Sequence, residues 1–168
     1  MPAREPSDEL VNVVDEDDRV VDTVPRREIR TRNLLHRCTY VLVRRSDGRI
    51  NVHRRTDSKD VDPGAFDMLP GGVCVAGETY DYCARRELEE ELGIAGAELR
   101  PLFRHRYSGP DGEAWGAVYE VTWDGPIAMQ PEEVVWNDWV TREQLERMLG
   151  ALAFCRDSVE IYRRWTGS

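Results

Sequence analysis

The chain has one lysine, Lys59, and all its other Lys/Arg cations are arginines, so no arginine stands out by residue type alone. Positive charge is in deficit: 23 Lys and Arg against 32 Asp and Glu leave a formal net charge of −9. Such a surface repels a nucleic-acid backbone, whose binding needs cations to neutralise phosphates, and this excludes a nucleic acid polymer as partner. An acidic protein acting on phosphates therefore needs a metal cation. Long apolar runs are also missing. Stretches such as Tyr40–Val43 fall far short of a membrane span, and the start Met1-Pro2-Ala3-Arg4-Glu5 has no hydrophobic signal region. The expectation is no membrane partner and a cytoplasmic location. Cys38, Cys74, Cys83 and Cys155 form no Cys-x-x-Cys pair, which removes zinc-site spacing and a dense disulfide framework and leaves reduced, mostly buried thiols. No internal repeat or low-complexity segment is visible.

What is present suits one compact domain: 168 residues, 40% of them hydrophobic, suffice for one core. Residues 1–9, polar and carrying Pro2 and Pro6, read as a flexible tail, with a single domain over 10–168. Leu10–Val14 and Val20–Val24 are β-branched runs around an acidic turn and read as a hairpin or a pair of edge strands. A short helix is expected over Arg26–Leu35. Cys38–Arg44 and Ile50–Arg54 form a second hairpin about the turn Ser46-Asp47-Gly48. Asp57–Pro70 reads as loop with a short strand near Ala65–Met68, and Gly71-Gly72 allows close backbone approach to a ligand. Thr79 caps the clearest helix, which has Ala84, Leu88 and Leu92 at four-residue spacing and ends at Gly93. Strands follow at Glu98–His105, Trp115–Trp123 and Val134–Val140, with a turn at Ser108–Gly112, then helices at Thr141–Leu149 and Asp157–Trp165. Strands interspersed with helices predict an α/β fold of the α+β type, a mixed sheet packed between helices as an α/β/α sandwich.

On the clearest helix, Glu87, Glu90 and Glu91 stand at i, i+3 and i+4 and share a face. Crowded carboxylates cost free energy unless something binds them, although Glu-rich faces are commonly just solvated. The surroundings decide between these readings. Gly72, Glu78, Arg86, Glu87, Leu88, Glu90, Glu91, Gly93 and Ile94 follow the order G-x5-E-x7-R-E-U-x-E-E-x-G-U, where U is a bulky aliphatic residue. This segment, 72–94, resembles the Nudix box of the Nudix hydrolases at every specified position.

The resemblance implies a Mg²⁺-dependent hydrolase, with Mn²⁺ a possible substitute, that cleaves a phosphoanhydride by water attack at phosphorus. Oxygen-rich sites of this kind suit a hard cation that also bridges substrate phosphates. By resemblance, Glu87 and Glu91 are the principal metal ligands, Glu90 a further or water-mediated one, and the Gly71 carbonyl a backbone ligand. Arg86 and Glu78 are the supporting ion pair, and Leu88 and Ile94 are core. Glu133, before a late strand, resembles an acid that joins the metal or the water.

The segment from His53 to Lys59, followed by Pro63-Gly64, resembles the part of isopentenyl diphosphate isomerases that grips a diphosphate, with Arg55 and Lys59 as phosphate binders. The cysteine and the paired glutamates that isomerisation needs are not matched in Leu69–Val73 and Glu113-Ala114-Trp115. His36, where those enzymes place a metal-binding histidine, is read as structural. Gly71 and Gly72 join Arg55 and Lys59 as substrate-binding candidates. The substrate is read first as a nucleoside di- or triphosphate, with Trp136 a candidate to stack on a base. Isoprenoid diphosphates, nucleotide sugars, isomerase-like activity and a non-catalytic ligand-binding module are the alternatives. The partner is a small-molecule phosphate ester or nucleotide, and the chain a monomer or homodimer.

Overall fold

The structure, a computed structural model, describes residues 6–168. Pro6–Asp8 makes a 3-10 turn, and the chain then runs β1 (Leu10–Val14), β2 (Val20–Pro25), α1 (Arg26–Thr31), β3 (His36–Arg44), β4 (Ile50–Arg55), β5 (Phe66–Asp67) and β6 (Gly71–Val73). After these come α2 (Tyr80–Leu92), β7 (Arg100–Gly109), β8 (Gly112–Thr122), β9 (Val134–Val140), α3 (Arg142–Ala151) and α4 (Arg156–Thr166). Of the segment expected to be a tail, residues 1–5 lie outside the described residues.

β3 organises the mixed sheet. One edge pairs in parallel with β8 over its whole length, while the other meets β1 at its start, β6 across Cys38–Tyr40 and β4 at its end. The remaining pairings are antiparallel: β1 with β2, β4 with β5 and β9, and β7 with β8.

Strand alternation then builds the expected sandwich. Tyr40, Leu42 and Val118 face a core closed by Ile29 of α1, Leu145 of α3 and Ile161 and Tyr162 of α4. Val41, Val43, Ala117 and Tyr119 face the opposite way, onto Ala84, Leu88 and Leu92 of α2. No helix among the described residues is long and apolar enough to cross a membrane.

Several boundaries differ from the sequence reading for local reasons. α1 stops at Thr31 because Asn33 adopts a left-handed φ of 48° and Leu34 N–H bonds back to Ile29 O at 3.0 Å. Gly71-Gly72, expected to be loop, opens the strand Gly71–Val73 because the segment aligns on β3. The turn expected over Ser108–Gly112 narrows, since β7 continues to Gly109 and β8 resumes at Gly112. All four cysteines are buried and free, as expected.

Candidate active site

α2 presents its carboxylates because both ends are fixed. The Thr79 side chain accepts from Tyr82 N–H at 3.2 Å, and Gly93 closes the helix in the left-handed region at φ 66°. With Ala84, Leu88 and Leu92 directed into the core, Glu87 and Glu91 turn toward β6, whereas Glu90 stays half exposed.

β6 carries the other half of this contact. Val41 N–H bonds Pro70 O and Cys74 N–H bonds Arg37 O, which brackets Thr39 and Gly72 as a hydrogen-bonded pair. The alternation directs the Gly71 amide and carbonyl away from β3, and Gly71 N–H donates to Glu91 Oε2 at 3.2 Å. Both glycines are required by close approach: a Cβ on Gly71 would lie 1.9 Å from Thr39 O, and one on Gly72 would lie 2.6 Å from Glu87 Oε1.

Arg86 braces the arrangement. Its Nε and Nη2 grip Glu78 at 2.7 and 3.0 Å, and its Nη1 reaches Glu87 at 2.8 Å and Glu90 at 3.2 Å. Glu78 in turn accepts from Val75 N–H at 2.9 Å, which ties the loop to the helix. Burial works against the Glu78 charge, but the Arg86 fork and the Val75 amide hold its carboxyl below the usual range.

These groups open into a cavity of about 500 Å³. Glu91 is only 3% exposed, and burial together with Glu87 pushes its carboxyl up to about 8. Burial, with Glu90 adding to it, raises Glu87 as well, against the pull of Arg86. Carboxylate density that burial leaves poorly compensated is what a divalent cation would relieve. The donors here are carboxylates and the off-ladder Gly71 carbonyl, all oxygens, and they fit a hard ion such as Mg²⁺. Among the described residues, however, no three acids are drawn close enough to form a metal-sized cluster as they stand, since Arg86 engages two of them.

On the facing side, Arg55 at the end of β4 donates through Nη2 to Val61 O at 3.1 Å, while its buried Nε has no partner. Burial opposes its charge, yet acidic neighbours including Asp67, Glu91 and Asp157 raise its pKa. The Lys59 ammonium is paired with Glu133, whose main chain is fixed by Thr56 N–H donating to its carbonyl at 3.2 Å. Burial lowers the Lys59 pKa, opposed by Glu91. Glu78, Arg86, Glu87, Glu90, Glu91, Glu133, Arg55, Lys59, Gly71 and Gly72 all line this cavity.

The structure does not bring the tryptophans there. Trp136 packs edge-on against Phe66, with ring centroids 5.6 Å apart, and none of Trp115, Trp123, Trp136 or Trp139 lines the cavity, which removes Trp136 as a base-stacking group. His36 does line it, but its Nδ1 faces Leu34 O at 2.9 Å, and burial holds its pKa down at about 4, the state of a neutral structural histidine.

The sequence reading missed the floor. Tyr40 Oη donates to Asp157 Oδ2 at 2.9 Å, and Asp67 and Asp111 also line the cavity. Asp157 opens a helix and lies 117 residues from Tyr40, so no local spacing marks the pair. Arg26 and Arg30 of α1 line it too. Their four-residue spacing is a visible signal, but one submerged in a chain rich in arginine.

Comparison with known proteins places the sequence and the fold in a family. The sequence profile of the NUDIX domain family matches residues 34–160. The chain is 44% identical to an uncharacterized Nudix hydrolase of Streptomyces coelicolor, over 96% of this chain and 92% of that one. It is 36% identical to the uncharacterized Nudix hydrolase YfcD of Escherichia coli, over 95% of this chain and 87% of that one. The crystal structure of DR0079 from Deinococcus radiodurans superposes with a TM-score of 0.80 at 31% identity, covering 93% of this chain and 98% of that chain.

Proposed function

The chain belongs to the Nudix hydrolase family, whose members act on phosphoanhydride bonds, and from that premise we propose that it hydrolyses a nucleoside di- or triphosphate with Mg²⁺. The observation that carries this reading is the convergence, in one cavity, of Glu87 and Glu91 with Arg55 and Lys59. Acids and cations that share one cavity fit a diphosphate held between a metal and a guanidinium–ammonium pair.

Glu87, Glu91 and the Gly71 carbonyl would hold the ion, with Glu90 direct or through water. Bound there, Mg²⁺ would neutralise charge on the transferred group. Arg55 and Lys59 orient the diphosphate. Water attacks one phosphorus as the bond to the bridging oxygen breaks, and a site glutamate, with Glu133 a candidate, takes the water's proton. The products are a monophosphate with pyrophosphate or phosphate, or a diphosphate with phosphate.

The acidic floor of Asp67 and Asp157 favours a polar organic part over the hydrocarbon tail of an isoprenoid, which would leave those groups buried without water. This supports nucleotides, and nucleotide sugars after them. Cytoplasmic action on a small molecule by a monomer or homodimer completes the reading.

The test is phosphate and pyrophosphate release from a panel of nucleoside di- and triphosphates, nucleotide sugars and isoprenoid diphosphates with Mg²⁺, beside Glu87→Gln and Glu91→Gln. Turnover that both variants abolish supports the proposal. A chain that turns over nothing on the panel, or turns it over equally well without Glu87, refutes it.

A further inference from the structure

Arg55 and Lys59 do not exhaust the cations of the cavity. Arg26 and Arg30, one turn apart on α1, also face into it, held there because Ile29, 3% exposed, anchors the helix in the core. Like charges at i and i+4 repel and weaken a helix unless an anion lies between them. The protein supplies little: Arg26 Nη1 reaches Glu9 only at 3.4 Å, and Arg30 has no ion pair or side-chain hydrogen bond among the described residues. Partial burial, with the charges of Arg26 and Arg55, lowers the Arg30 pKa, and Asp60 offsets this only in part.

The rest of the cavity narrows where an anion can go. Its floor is acidic, with Asp67 buried and Asp157 bonded by Tyr40, and it would repel a phosphate. The α2 wall is taken by the glutamates. The cations left to meet an anion are Arg55, Lys59, Arg26 and Arg30, with Glu9, Asp62, Asp111 and Glu113 as the further acids of the lining.

We infer that Arg26 and Arg30 hold a third phosphoryl group, continuous with the two met by Arg55 and Lys59, so that the site is built for a triphosphate chain. This rests on the hydrolase reading above and names its substrate class. Arg30 supplies a planar fork to the terminal phosphoryl, Arg26 a second donor set, and the floor receives the uncharged end of the molecule.

The experiment compares a nucleoside triphosphate with the diphosphate of the same base, with Mg²⁺, in the native chain, Arg26→Gln and Arg30→Gln. Arg30→Gln is expected to lower kcat/KM for the triphosphate about tenfold and to leave the diphosphate within about twofold, the scale of one charge-assisted contact. Equal losses on both substrates, or no loss on either, overturn the inference.

Calorimetric titration with Mg²⁺-tripolyphosphate and Mg²⁺-pyrophosphate reads the same site without turnover. Tripolyphosphate is expected to bind the native chain about tenfold more tightly, with the gap closing in Arg30→Gln. If the native chain shows that gap and Arg30→Gln closes it while no nucleotide is hydrolysed, the third-phosphoryl site stands and the hydrolase reading falls. Turnover without an Arg30-dependent gap sinks the inference alone.

Discussion

The chain's only lysine is paired with the acid expected to work on water: the Lys59 ammonium meets the Glu133 carboxylate at the edge of the cavity, 74 residues along the chain. On the proposed reading, a phosphate entering beside Arg55 would compete with Glu133 for Lys59, and cation and acid would act as one unit. Lys59→Gln is expected to raise KM about tenfold and Glu133→Gln to lower kcat about tenfold or more. The double variant should lose less than the product of the two, because the residues share a contact. Steady-state kinetics on all four proteins test this, and full additivity would show the pair to be independent.

Glu87→Gln and Glu91→Gln are each expected to reduce kcat on the order of a thousandfold, since each removes charge from the all-oxygen donor set. Glu91→Gln should at the same time melt higher than the native chain in metal-free buffer, because it replaces a carboxylate that burial and Glu87 both disfavour. A thermal scan with and without Mg²⁺ checks this, and Mg²⁺ should raise the melting temperature of the native chain far more than that of the variant.

The two adjacent glycines should fail in different ways. Alanine at Gly71 meets the Thr39 carbonyl at 1.9 Å, a backbone atom that cannot step aside, so Gly71→Ala is expected to destabilise the fold by about 3 kcal/mol. Alanine at Gly72 meets the Glu87 carboxylate, the end of a flexible side chain. Gly72→Ala should therefore fold within about 1 kcal/mol of the native chain and lose activity instead. Urea denaturation beside kinetics separates the two, and equal stability losses would contradict the structure.

What could be read from the sequence was local or periodic. Thr79 and Gly93 bound α2 because caps act within a few residues, and the spacing of Ala84, Leu88 and Leu92 fixed which side of the helix is buried. The same helix carries the family's box, which is why its acids could be named before any coordinates. The strand character of Gly71–Val73 is not local: it comes from pairing with Cys38–Tyr40 of β3, and Gly72 lies 33 residues from its partner Thr39, a span that no window contains. Trp136 was misplaced for a related reason, since β9 carries it toward Phe66 and only its pairing with β4 settles that. The floor formed by Tyr40, Asp67 and Asp157 joins β3, β5 and the first turn of α4, so it exists only once the sheet has closed.

Asp157 gives this floor a pH signature. Burial, with Asp67 and Asp111 adding to it, pushes its carboxyl up to about 6 from an ordinary 3.8, against the hydrogen bonds from Tyr40 Oη and Ser158 N–H. Arg55 also faces it, and the Tyr40 phenol and the Cys38 and Cys155 thiols beside it stay protonated because burial raises them. With the folded value raised, the favourable protonated form is fully present below about pH 4, and its contribution is lost as the pH rises through about 6. At neutral pH the buried charge then destabilises the fold by about 3 kcal/mol. Asp157→Asn retains an acceptor for Ser158 N–H and carries no charge, so it is expected to be about 1–3 kcal/mol more stable than the native chain at pH 7.5. By pH 4 the difference should vanish or reverse. Denaturant unfolding at both pH values measures this directly, and a native chain that is the more stable of the two at pH 7.5 would mean that Tyr40 and Arg55 fully offset the burial of the Asp157 charge.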